Sequence, residues 1–353
     1  MSVERFLAHA LSPWMKVAGT DDDIVLSSRI RLARNIQDYS FPLLASEEEA
    51  AAVVKHVQEV FQTSEEGTLT GAQIIAMDEL EANEKRMLVE KHLISPHLAE
   101  RSHHGLVLLS ADESLSVMVN EEDHLRIQCM SPGFSLEQSF QAANAMDDWL
   151  ESHMTYAFDE QYGYLTSCPT NVGTGLRASV MVHLPALAMT QHLQQILPAI
   201  NRFGLVVRGI YGEGSEALGN LFQISNQLTL GKTESDMITD LQGVVKQLIK
   251  QEREAREALW QHSQLKLSDR VMRSLGILTH SYMIDSKEAT RRLSDVRLGV
   301  SLGLIDRISL DMLNELVILT QPGFLQQYAQ MVLTPEQRDE KRATLIRERL
   351  KLS

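Results

Sequence analysis

The chain has little cysteine, little proline and no long apolar run. Its 353 residues include two cysteines, Cys129 and Cys168, and nine prolines. Two cysteines cannot build a disulfide framework, and they fit a reducing compartment. No apolar run approaches the length of about 18 residues that a membrane span needs, and residues 1–19 lack the apolar core of a secretory signal. We therefore expect a cytoplasmic protein without membrane association.

Basic residues are outnumbered by acidic ones. Lys and Arg number 33 and Asp and Glu number 47, so the formal net charge is −14. This balance argues against a general affinity for nucleic acids or membrane surfaces, which usually requires a basic face. It still permits nucleotide binding, because a few clustered arginines can dominate the local potential. A chain of this length is expected to form about two domains.

Several common motifs are also missing. The sequence contains no HExxH and no CxxC, so we expect no metal site built from protein ligands. LGKT at 230–233 is similar to the end of a phosphate-binding loop, but Asn226 stands where the motif requires its first glycine. GTG at 173–175 and GEG at 212–214 do not complete a dinucleotide-binding fingerprint.

The apolar pattern changes near residue 235. Before it, strand-like runs alternate with helical patterns, and the runs at 104–110, 114–120 and 125–130 predict an antiparallel meander. After it, helical patterns dominate. Ser46 with Glu49, and Thr334 with Gln337, predict capping boxes. The other predicted strands are 164–168, 179–184, 205–211 and 220–225, and the predicted helices are 46–61, 135–154, 186–203, 235–264, 267–276, 286–302, 308–320 and 335–350.

This pattern predicts an α+β fold, in which an antiparallel β-sheet is flanked by helices, with a C-terminal all-helical domain after it. We place an N-terminal helix and lead-in at 1–21, the α+β domain at 22–255 and the helical domain at 256–353.

Four segments combine arginine with glycine or with carboxylates. They are SSRIRLAR (27–34), NEEDHLR (120–126), CPTNVGTGLR (168–177) and RGIYGE (208–213). Arg29 and Arg31 are two residues apart, so a strand would place both guanidinium groups on one face. Guanidinium groups bind phosphates as planar, permanently charged forks. Each segment alone is more typical of a solvated face or an ordinary turn, but their co-occurrence favours a cradle for a nucleoside triphosphate.

The decapeptide CPTNVGTGLR resembles, nearly residue for residue, the signature of the phosphagen (guanidino) kinases, the family of creatine and arginine kinases. The other three segments match in the family's order, and the resemblance covers roughly residues 22–255. The chain is most similar to the branch of bacterial protein-arginine kinases of the McsB type. That branch joins the catalytic domain to a C-terminal helical dimerisation domain and carries an RDxxRA motif, which here reads RDEKRA (338–343).

The resemblance implies that ATP is the phosphoryl donor and that Mg²⁺ is held mainly through the nucleotide phosphates. Glu122 and Glu213 are implied to bind the acceptor guanidinium, with Cys168 against it as a thiolate. The residues implied to hold the phosphates are Arg29, Arg31, Arg126, Arg177 and Arg208. The further implied nucleotide contacts are Ser27, Ser28, His92, Ala178, Ser179, Val180, Met181, Gly209 and Gly212.

These residue types fit the phosphorylation of a guanidinium group. A guanidinium is a poor nucleophile, because its pKa exceeds about 12 and its lone pair is delocalised. A carboxylate has to orient the nitrogen and accept its proton, and we assign Glu122 to this role and Glu213 to a second clamp. Nearby positive charge favours the thiolate of Cys168, which is expected to orient the acceptor and not to attack it.

The chain departs from the small-molecule members of the family. Those members carry a helical domain before the catalytic domain that closes over a free guanidino compound, whereas only a short lead-in precedes the first motif here. Met181 also stands where those relatives tend to have histidine. An open acceptor site suits an arginine presented by a protein, so the first hypothesis is an ATP-dependent protein-arginine kinase. The alternatives are a kinase for a free guanidino metabolite such as arginine, and a non-catalytic phosphoarginine-binding adaptor.

The RDEKRA segment has two interpretations. Arg338 and Arg342 share a helix face, which alone is typical of a solvated surface. The resemblance implies instead an allosteric phosphoarginine-binding pocket formed by Arg338, Asp339 and Arg342. It also implies a homodimer, protein substrates that include a CtsR-type repressor, a zinc-finger activator protein and the ClpC–ClpP protease. These partners imply that the enzyme marks proteins for degradation in a stress response, without binding nucleic acid directly.

Overall fold

The computed structural model describes residues 3–17, 19, 21–63, 71–101, 104–209 and 218–351. The chain divides into two compact units. Unit 1 comprises Met1–Trp14, Ser27–Ser179 and Ser225–Leu241, and unit 2 comprises Met15–Leu26, Val180–Ile224 and Gln242–Ser353.

The strands in these ranges form a large sheet and a small hairpin. Eight strands lie in the order β2-β3-β4-β5-β1-β8-β10-β9, and β6 pairs with β7. The strands are β1 (Val25–Arg34), β2 (Gln73–Ala76), β3 (Leu106–Leu109), β4 (Leu115–Val119), β5 (Leu125–Pro132), β6 (Phe158–Asp159), β7 (Gly163–Tyr164), β8 (Leu176–His183), β9 (Leu205–Gly209) and β10 (Leu221–Asn226).

Helices precede and follow these strands, and they dominate the chain after β10. They are α1 (Glu4–Leu7), α2 (Glu47–Thr63), α3 (Ala82–Glu90), α4 (Pro96–Arg101), α5 (Leu136–Glu151), α6 (Pro185–Met189), α7 (His192–Arg202), α8 (Glu234–His280), α9 (Ser286–Ser301), α10 (Leu310–Leu319), α11 (Pro322–Ala329) and α12 (Pro335–Lys351). The α+β class and the C-terminal helical region are thus confirmed. Within the described ranges, no helix combines the length and apolarity that crossing a bilayer requires.

The antiparallel meander of β3, β4 and β5 is confirmed. Leu106 of β3 lies opposite Val119 of β4, and Leu115 of β4 lies opposite Cys129 of β5. Every residue of β3 and β4 is buried, so both faces of these two strands are covered. The meander therefore forms the rigid support for the turn at 120–124 that joins β4 to β5.

Two predicted boundaries are wrong for local reasons. The strand predicted at 164–168 ends at Tyr164, because the next carbonyl, that of Leu165, accepts a bond from the side chain of Asn35. The helix predicted at 186–203 breaks into α6 and α7, because Gln191 adopts a left-handed backbone with a φ of 59°. The predicted division between the helices at 235–264 and 267–276 is confirmed, because α8 is kinked at Ser263, whose φ of −145° and ψ of 29° are not helical.

The capping predictions are confirmed at both ends of the chain. Ser46 and Glu49 exchange side chain-to-backbone bonds at the start of α2, and Thr334 and Gln337 do the same at α12. Helix α11 is absent from the sequence predictions, although Pro322 occupies its first turn, where proline is favoured.

The N-terminal segment of unit 1 is fastened by a buried lysine. Lys91 is fully buried, and its Nζ donates to the carbonyl oxygens of Phe6 at 2.6 Å and His9 at 3.0 Å. Glu113 supplies the balancing charge at 2.7 Å. The residue after this lysine is His92, so the segment is attached beside a predicted nucleotide contact.

The C-terminal helices of unit 2 share an apolar core. The side chains in this core are packed closely enough that Gly299 of α9 has no room for a larger residue. The buried residues of the core come from α8, α9, α10 and α12 and from the connections between them: Val271, Leu275, Leu278, Ile284, Ala289, Leu293, Val296, Ile305, Ile308, Leu313, Leu316, Ala343, Leu345, Ile346 and Leu350.

Replacing Gly299 by alanine is expected to destabilise unit 2. The added Cβ would lie 2.3 Å from Cγ1 of Val271, so the core has to move, at a cost of about 1–3 kcal/mol. The matched control is Gly243→Ala in α8, whose added Cβ meets no described atom within 4 Å and should stabilise the helix by about 0.5–1 kcal/mol. Thermal unfolding followed by circular dichroism measures both. A melting temperature for Gly299→Ala at or above that of the wild type would contradict the packing argument.

Candidate active site

Four arginines of unit 1 form an electrostatic cluster. Ala33 of β1 lies opposite Arg126 of β5, and opposed residues point to the same face, so Arg126 shares the face of Arg29 and Arg31. The charge of Arg29, followed by burial, holds the pKa of Arg31 well below its usual value. Arg126 and Arg177 act in the same direction. The predicted placement of Arg29 and Arg31 on one strand face is therefore confirmed.

Within the described ranges, carboxylates balance the repulsion in this cluster only in part, and Glu121 is the group that raises the pKa of Arg31. Burial, and then the charge of Arg126, lower the pKa of Arg29 to about 10. Nε of Arg29 donates to Oγ of Ser179 at 3.3 Å. Nε of Arg31 is buried and finds no hydrogen-bond partner within the part of the chain that the structure describes. A polyanion would supply both the missing acceptor and the missing charge.

Two adjacent carboxylates face Arg126 from the turn between β4 and β5. Its Nη1 donates to Oε1 of Glu121 at 2.6 Å, and its Nη2 donates to Oε2 of Glu122 at 3.3 Å. The side chain of Glu121 is 2% exposed and that of Glu122 is 35% exposed. Of the two carboxylates, that of Glu122 is therefore the one accessible from solvent.

Glu121 is a site residue that the sequence reasoning missed. Its Oε1 also accepts from Oγ of Ser95 at 2.6 Å, and its Oε2 accepts from the backbone N–H of Glu122 at 2.7 Å. These bonds fix the turn on which Glu122 stands. The run of adjacent acidic residues indicated a site, but the sequence does not show which of the carboxylates points inward.

The glycine-rich segment 168–177 curls back on its own arginine. Nε of Arg177 donates to Oδ1 of Asn171 at 3.0 Å, and its Nη1 donates to the carbonyl oxygens of Asn226 and Gln227 at 3.0 and 3.1 Å. Its Nη2 donates to both the carbonyl and the hydroxyl oxygen of Thr170 at 3.0 Å. In this structure the guanidinium therefore shapes the segment, while its charge still reaches Arg31.

Cys168 lies at the start of the same segment. Its side chain is half-buried, with Sγ 3.0 Å from Oγ1 of Thr170. The preceding residue, Ser167, donates its N–H to Oδ1 of Asp123 at 2.6 Å, and Asn35 donates to the same oxygen at 2.7 Å. Asp123 follows Glu122, so this buried carboxylate joins the two segments that carry the predicted acid–base and thiol groups.

His92 lies next to the arginine cluster. Burial, and then the charge of Arg29, lower the pKa of this imidazole to about 4, so it is neutral at physiological pH. Its backbone is left-handed, with a φ of 57°, and its carbonyl oxygen accepts from Nε2 of Gln128 at 2.8 Å. Its ring centroid is 6.3 Å from that of Trp14. An uncharged ring of this kind suits contact with a nucleotide.

The remaining predicted nucleotide contacts fall into two groups. In unit 1, Ser27 and Ala178 are buried, and Ser28 is buried and bonded to Gly133 and Ser135 at the start of α5. In unit 2, Val180 and Met181 continue β8, and Arg208 and Gly209 end β9. Gly212 and Glu213 lie outside the described residues.

Comparisons with known proteins show the family to which the chain belongs. Residues 52–255 match the ATP:guanido phosphotransferase C-terminal catalytic domain, and residues 264–353 match the protein-arginine kinase McsB C-terminal domain. The protein-arginine kinases of Shouchella clausii (strain KSM-K16) and Halalkalibacterium halodurans are 71% and 65% identical over 352 residues, which cover 100% of this chain and 98% and 99% of theirs. The chain belongs to the protein-arginine kinase family.

Solved structures of phosphagen kinases share the fold of this protein-arginine kinase. A lombricine kinase aligns with a TM-score of 0.60 and 25% identity, covering 69% of this chain and 70% of the other. The substrate-free duplicated taurocyamine kinase of Schistosoma mansoni aligns with a TM-score of 0.59 and 22% identity. This alignment covers 73% of this chain and 39% of the other. The resemblance to phosphagen kinases is thus confirmed for the family and the fold.

The RDEKRA segment of this protein-arginine kinase lies on α12 in unit 2. Arg342 is buried, and it donates to the carbonyl oxygens of Thr320 and Ile284 at 3.1 and 2.9 Å. It also donates to Oδ1 of Asp339 at 2.6 Å. Arg338 and Asp339 are half-buried. The three predicted residues are therefore grouped, with Arg342 holding Asp339 in place.

Replacing Arg31 by methionine is expected to stabilise the ligand-free enzyme while weakening ATP binding. A charge whose pKa is depressed on folding costs stability when it is protonated at neutral pH, so removing it should add about 1 kcal/mol. Thermal unfolding with and without Mg-ATP measures both effects. Arg31→Lys retains the charge and serves as the control without stabilisation. A lower ligand-free melting temperature, with the ATP-induced shift intact, would contradict the repulsion argument.

Proposed function

We propose that this enzyme transfers the γ-phosphoryl group of Mg-ATP to the guanidinium group of arginine residues in proteins. The observation that carries this proposal is the cluster of Arg29, Arg31, Arg126 and Arg177, whose charges depress the pKa of Arg31. Nε of Arg31 is also buried and has no hydrogen-bond acceptor among the described residues. Phosphoryl transfer depends mainly on positioning and on neutralising phosphate charge, and such a cluster supplies both.

Arg29, Arg31 and Arg126 are proposed to bind the phosphates directly, with Arg177 and Arg208 completing the set. The phosphate charge would raise the depressed pKa values of Arg29 and Arg31 toward normal, which is equivalent to favourable binding energy. His92, the serines of β1 and the backbone at 178–181 are proposed to contact the rest of the nucleotide. Gly209 and Gly212 are proposed to allow its close approach.

Mg²⁺ is proposed to be bound through phosphate oxygens and water. The donor set fits this mode, because among the described residues no group of three or more His, Cys, Asp or Glu side chains could hold a metal ion. The carboxylates that contact the arginine cluster, Glu121 and Glu122, form ion pairs with Arg126. The ion would neutralise part of the phosphate charge during transfer.

Glu122 is proposed to orient the acceptor guanidinium and to accept its proton. The 35% exposure of its side chain leaves it accessible, and the buried Glu121 holds its backbone in place. Glu213 is proposed as the second clamp on the acceptor. Cys168, on the segment held by Asp123, is proposed to lie against the guanidinium as a thiolate.

A phosphoarginine-binding allosteric pocket is proposed at Arg338, Asp339 and Arg342. The half-buried Arg338 offers a charge for a phosphoryl group, and Asp339 offers a carboxylate for the attached guanidinium. Arg342 donates to Thr320, between α10 and α11, and to Ile284, just before α9. Through these bonds, occupancy of the pocket would be transmitted to the connections that precede α11 and α9. Binding there would require two states that differ in affinity for phosphoarginine.

The helical region is also proposed to form a homodimer. Large apolar side chains are exposed on it, and pairing of two copies would bury them. They include Leu265, Tyr282, Met283, Met331 and Val332. We retain 1–21, 22–255 and 256–353 as the proposed division into lead-in, catalytic domain and dimerisation domain.

In the cell, we propose a cytoplasmic enzyme of the stress response that marks proteins for degradation. A CtsR-type repressor is the proposed substrate, a zinc-finger protein the proposed activator, and ClpC–ClpP the proposed protease. The resemblance to protein-arginine kinases of the McsB type supports this assignment.

Glu122→Gln is expected to lower arginine phosphorylation by about 10²–10⁴-fold, because it removes the proposed base without changing side-chain size. An arginine-rich unfolded protein is incubated with enzyme and Mg-ATP, and its added phosphoryl mass is measured by intact-mass spectrometry at neutral pH and after acid treatment. A P–N bond is lost in acid, so acid-labile mass identifies phosphoarginine. Glu137→Gln, at an exposed carboxylate of α5, is the control and should retain activity.

Two outcomes would overturn the assignment. Wild-type turnover in Glu122→Gln would remove Glu122 from its proposed role. ATP consumption only when free arginine is supplied, with no mass added to protein, would identify a kinase for a small guanidino metabolite.

A further inference from the structure

Arg34 is a third arginine of β1, and it stands apart from the phosphate cluster. Its side chain is 1% exposed, and it follows Arg31 by three residues, so it points to the opposite face of the strand. A buried guanidinium is stable only when its donors and its charge are matched. The identity of its partners therefore indicates what the residue does.

The partners of Arg34 come from its own strand and from three other segments of unit 1. Its Nε donates to both carboxylate oxygens of Asp147 on α5 at 3.1 Å, and its Nη2 donates to one of them at 2.6 Å. Its Nη1 donates to the carbonyl oxygens of Ala33 and Thr174, each at 2.9 Å. The ring of Tyr164 lies on its face, with the centroid 3.6 Å from Cζ.

Thr174 belongs to the glycine turn of the 168–177 segment, and the turn is held on two sides. The carbonyl oxygen of Gly175 accepts from the N–H of Ala33 at 3.1 Å. The N–H of Thr174 donates to the carbonyl oxygen of Thr229 at 2.9 Å. The turn is thus pressed between the end of β1 and the loop that carries Thr229.

The glycines are required by this close approach. A Cβ on Gly175 would lie 2.5 Å from Nη1 of Arg34, and one on Gly173 would lie 2.3 Å from the carbonyl oxygen of Thr229. Both glycines also have positive φ angles, +66° and +113°. Tyr164 pairs its own backbone with Gly173, so the ring on Arg34 and the turn move together.

We propose that Arg34, Asp147 and Tyr164 form a positioning clamp that holds the Cys168–Arg177 segment at a fixed distance from the phosphate-binding arginines. Arg31 and Arg34 are three residues apart on one strand, a separation of about 10 Å that a paired strand keeps constant. One strand therefore carries the phosphate contact on one face and the anchor of the glycine turn on the other. The catalytic importance of the segment rests on the function proposed above.

If the Arg34–Asp147 ion pair served only to stabilise the fold, Arg34 would not need its further bond to the glycine turn. Buried ion pairs contribute little net stability compared with apolar side chains of the same volume. An apolar pair, however, could not bond the carbonyl oxygen of Thr174, and it would leave the turn held by its backbone bonds alone. The forked geometry of Arg34 allows one guanidinium to join α5, β1 and the turn.

The test compares Asp147→Asn with Glu252→Gln in the full-length enzyme. Glu252 is a matched buried carboxylate of unit 2, bonded by Nε of Arg256 at 2.8 Å and by the N–H groups of Ala186 and Leu187. Both variants are assayed at a temperature where each is folded by circular dichroism. The readouts are kcat and KM for ATP, and the rate at which iodoacetamide alkylates Cys168. Peptide mapping separates Cys168 from the buried Cys129.

The clamp predicts that Asp147→Asn lowers kcat by about tenfold or more relative to Glu252→Gln, because small displacements of catalytic groups are costly. It also predicts that the alkylation rate of Cys168 changes several-fold in Asp147→Asn only. Tyr164→Phe, which keeps the ring on Arg34, should behave as the wild type in both readouts, whereas Tyr164→Leu should behave as Asp147→Asn.

Equal kcat values and equal alkylation rates in Asp147→Asn and Glu252→Gln would overturn the clamp. The alkylation readout does not depend on the reaction that the enzyme catalyses. Failure of the proposed function would appear instead as wild-type enzyme that does not phosphorylate protein, whatever the behaviour of the variants.

Discussion

Repulsion between like charges is the constraint around which unit 1 is arranged. Arg29 and Arg31 are held on one strand face, and Arg126 is placed on the same face by the pairing of β1 with β5. The guanidinium groups cannot move apart because the sheet fixes their backbones, and Glu121 and Glu122 offset only part of their charge. Among the described residues, four arginines thus gather beside two carboxylates within a chain whose net charge is −14. Local placement, and not overall charge, determines what it attracts.

The sequence could predict those parts of the site that depend on local rules. The two-residue spacing of Arg29 and Arg31 was sufficient to place them together, because strand side chains alternate. The capping boxes at Ser46 and Thr334 were equally readable, since their partners lie three residues away. The family signature at 168–177 identified the glycine turn and the chemistry attached to it.

Other features depend on partners that are distant in the sequence. Arg34 and Asp147 are 113 positions apart, and nothing near either residue announces the other. The break at Gln191 has no glycine to mark it. The residues after Tyr164 have the pattern of a strand, yet the carbonyl oxygen of Leu165 accepts a hydrogen bond from the side chain of Asn35, which belongs to another segment.

The bonds made by Arg177 change how its role should be understood. All of the bonds described above go to the segment that this arginine ends or to residues 226 and 227. A phosphate that bound its guanidinium directly would have to compete with these carbonyl oxygens. If Arg177 binds the nucleotide as proposed, loading of the nucleotide and the shape of the Cys168 segment are linked through this side chain.

Lys91 has a consequence for the order in which unit 1 is assembled. Its ammonium group reaches the carbonyl oxygens of Phe6 and His9, and its charge is balanced by Glu113. The segment around Phe6 is synthesised before Lys91 and Glu113, so its anchor is completed only after residue 113 has been made. This segment therefore stays unanchored until then, and the backbone next to His92 is fixed at the same stage.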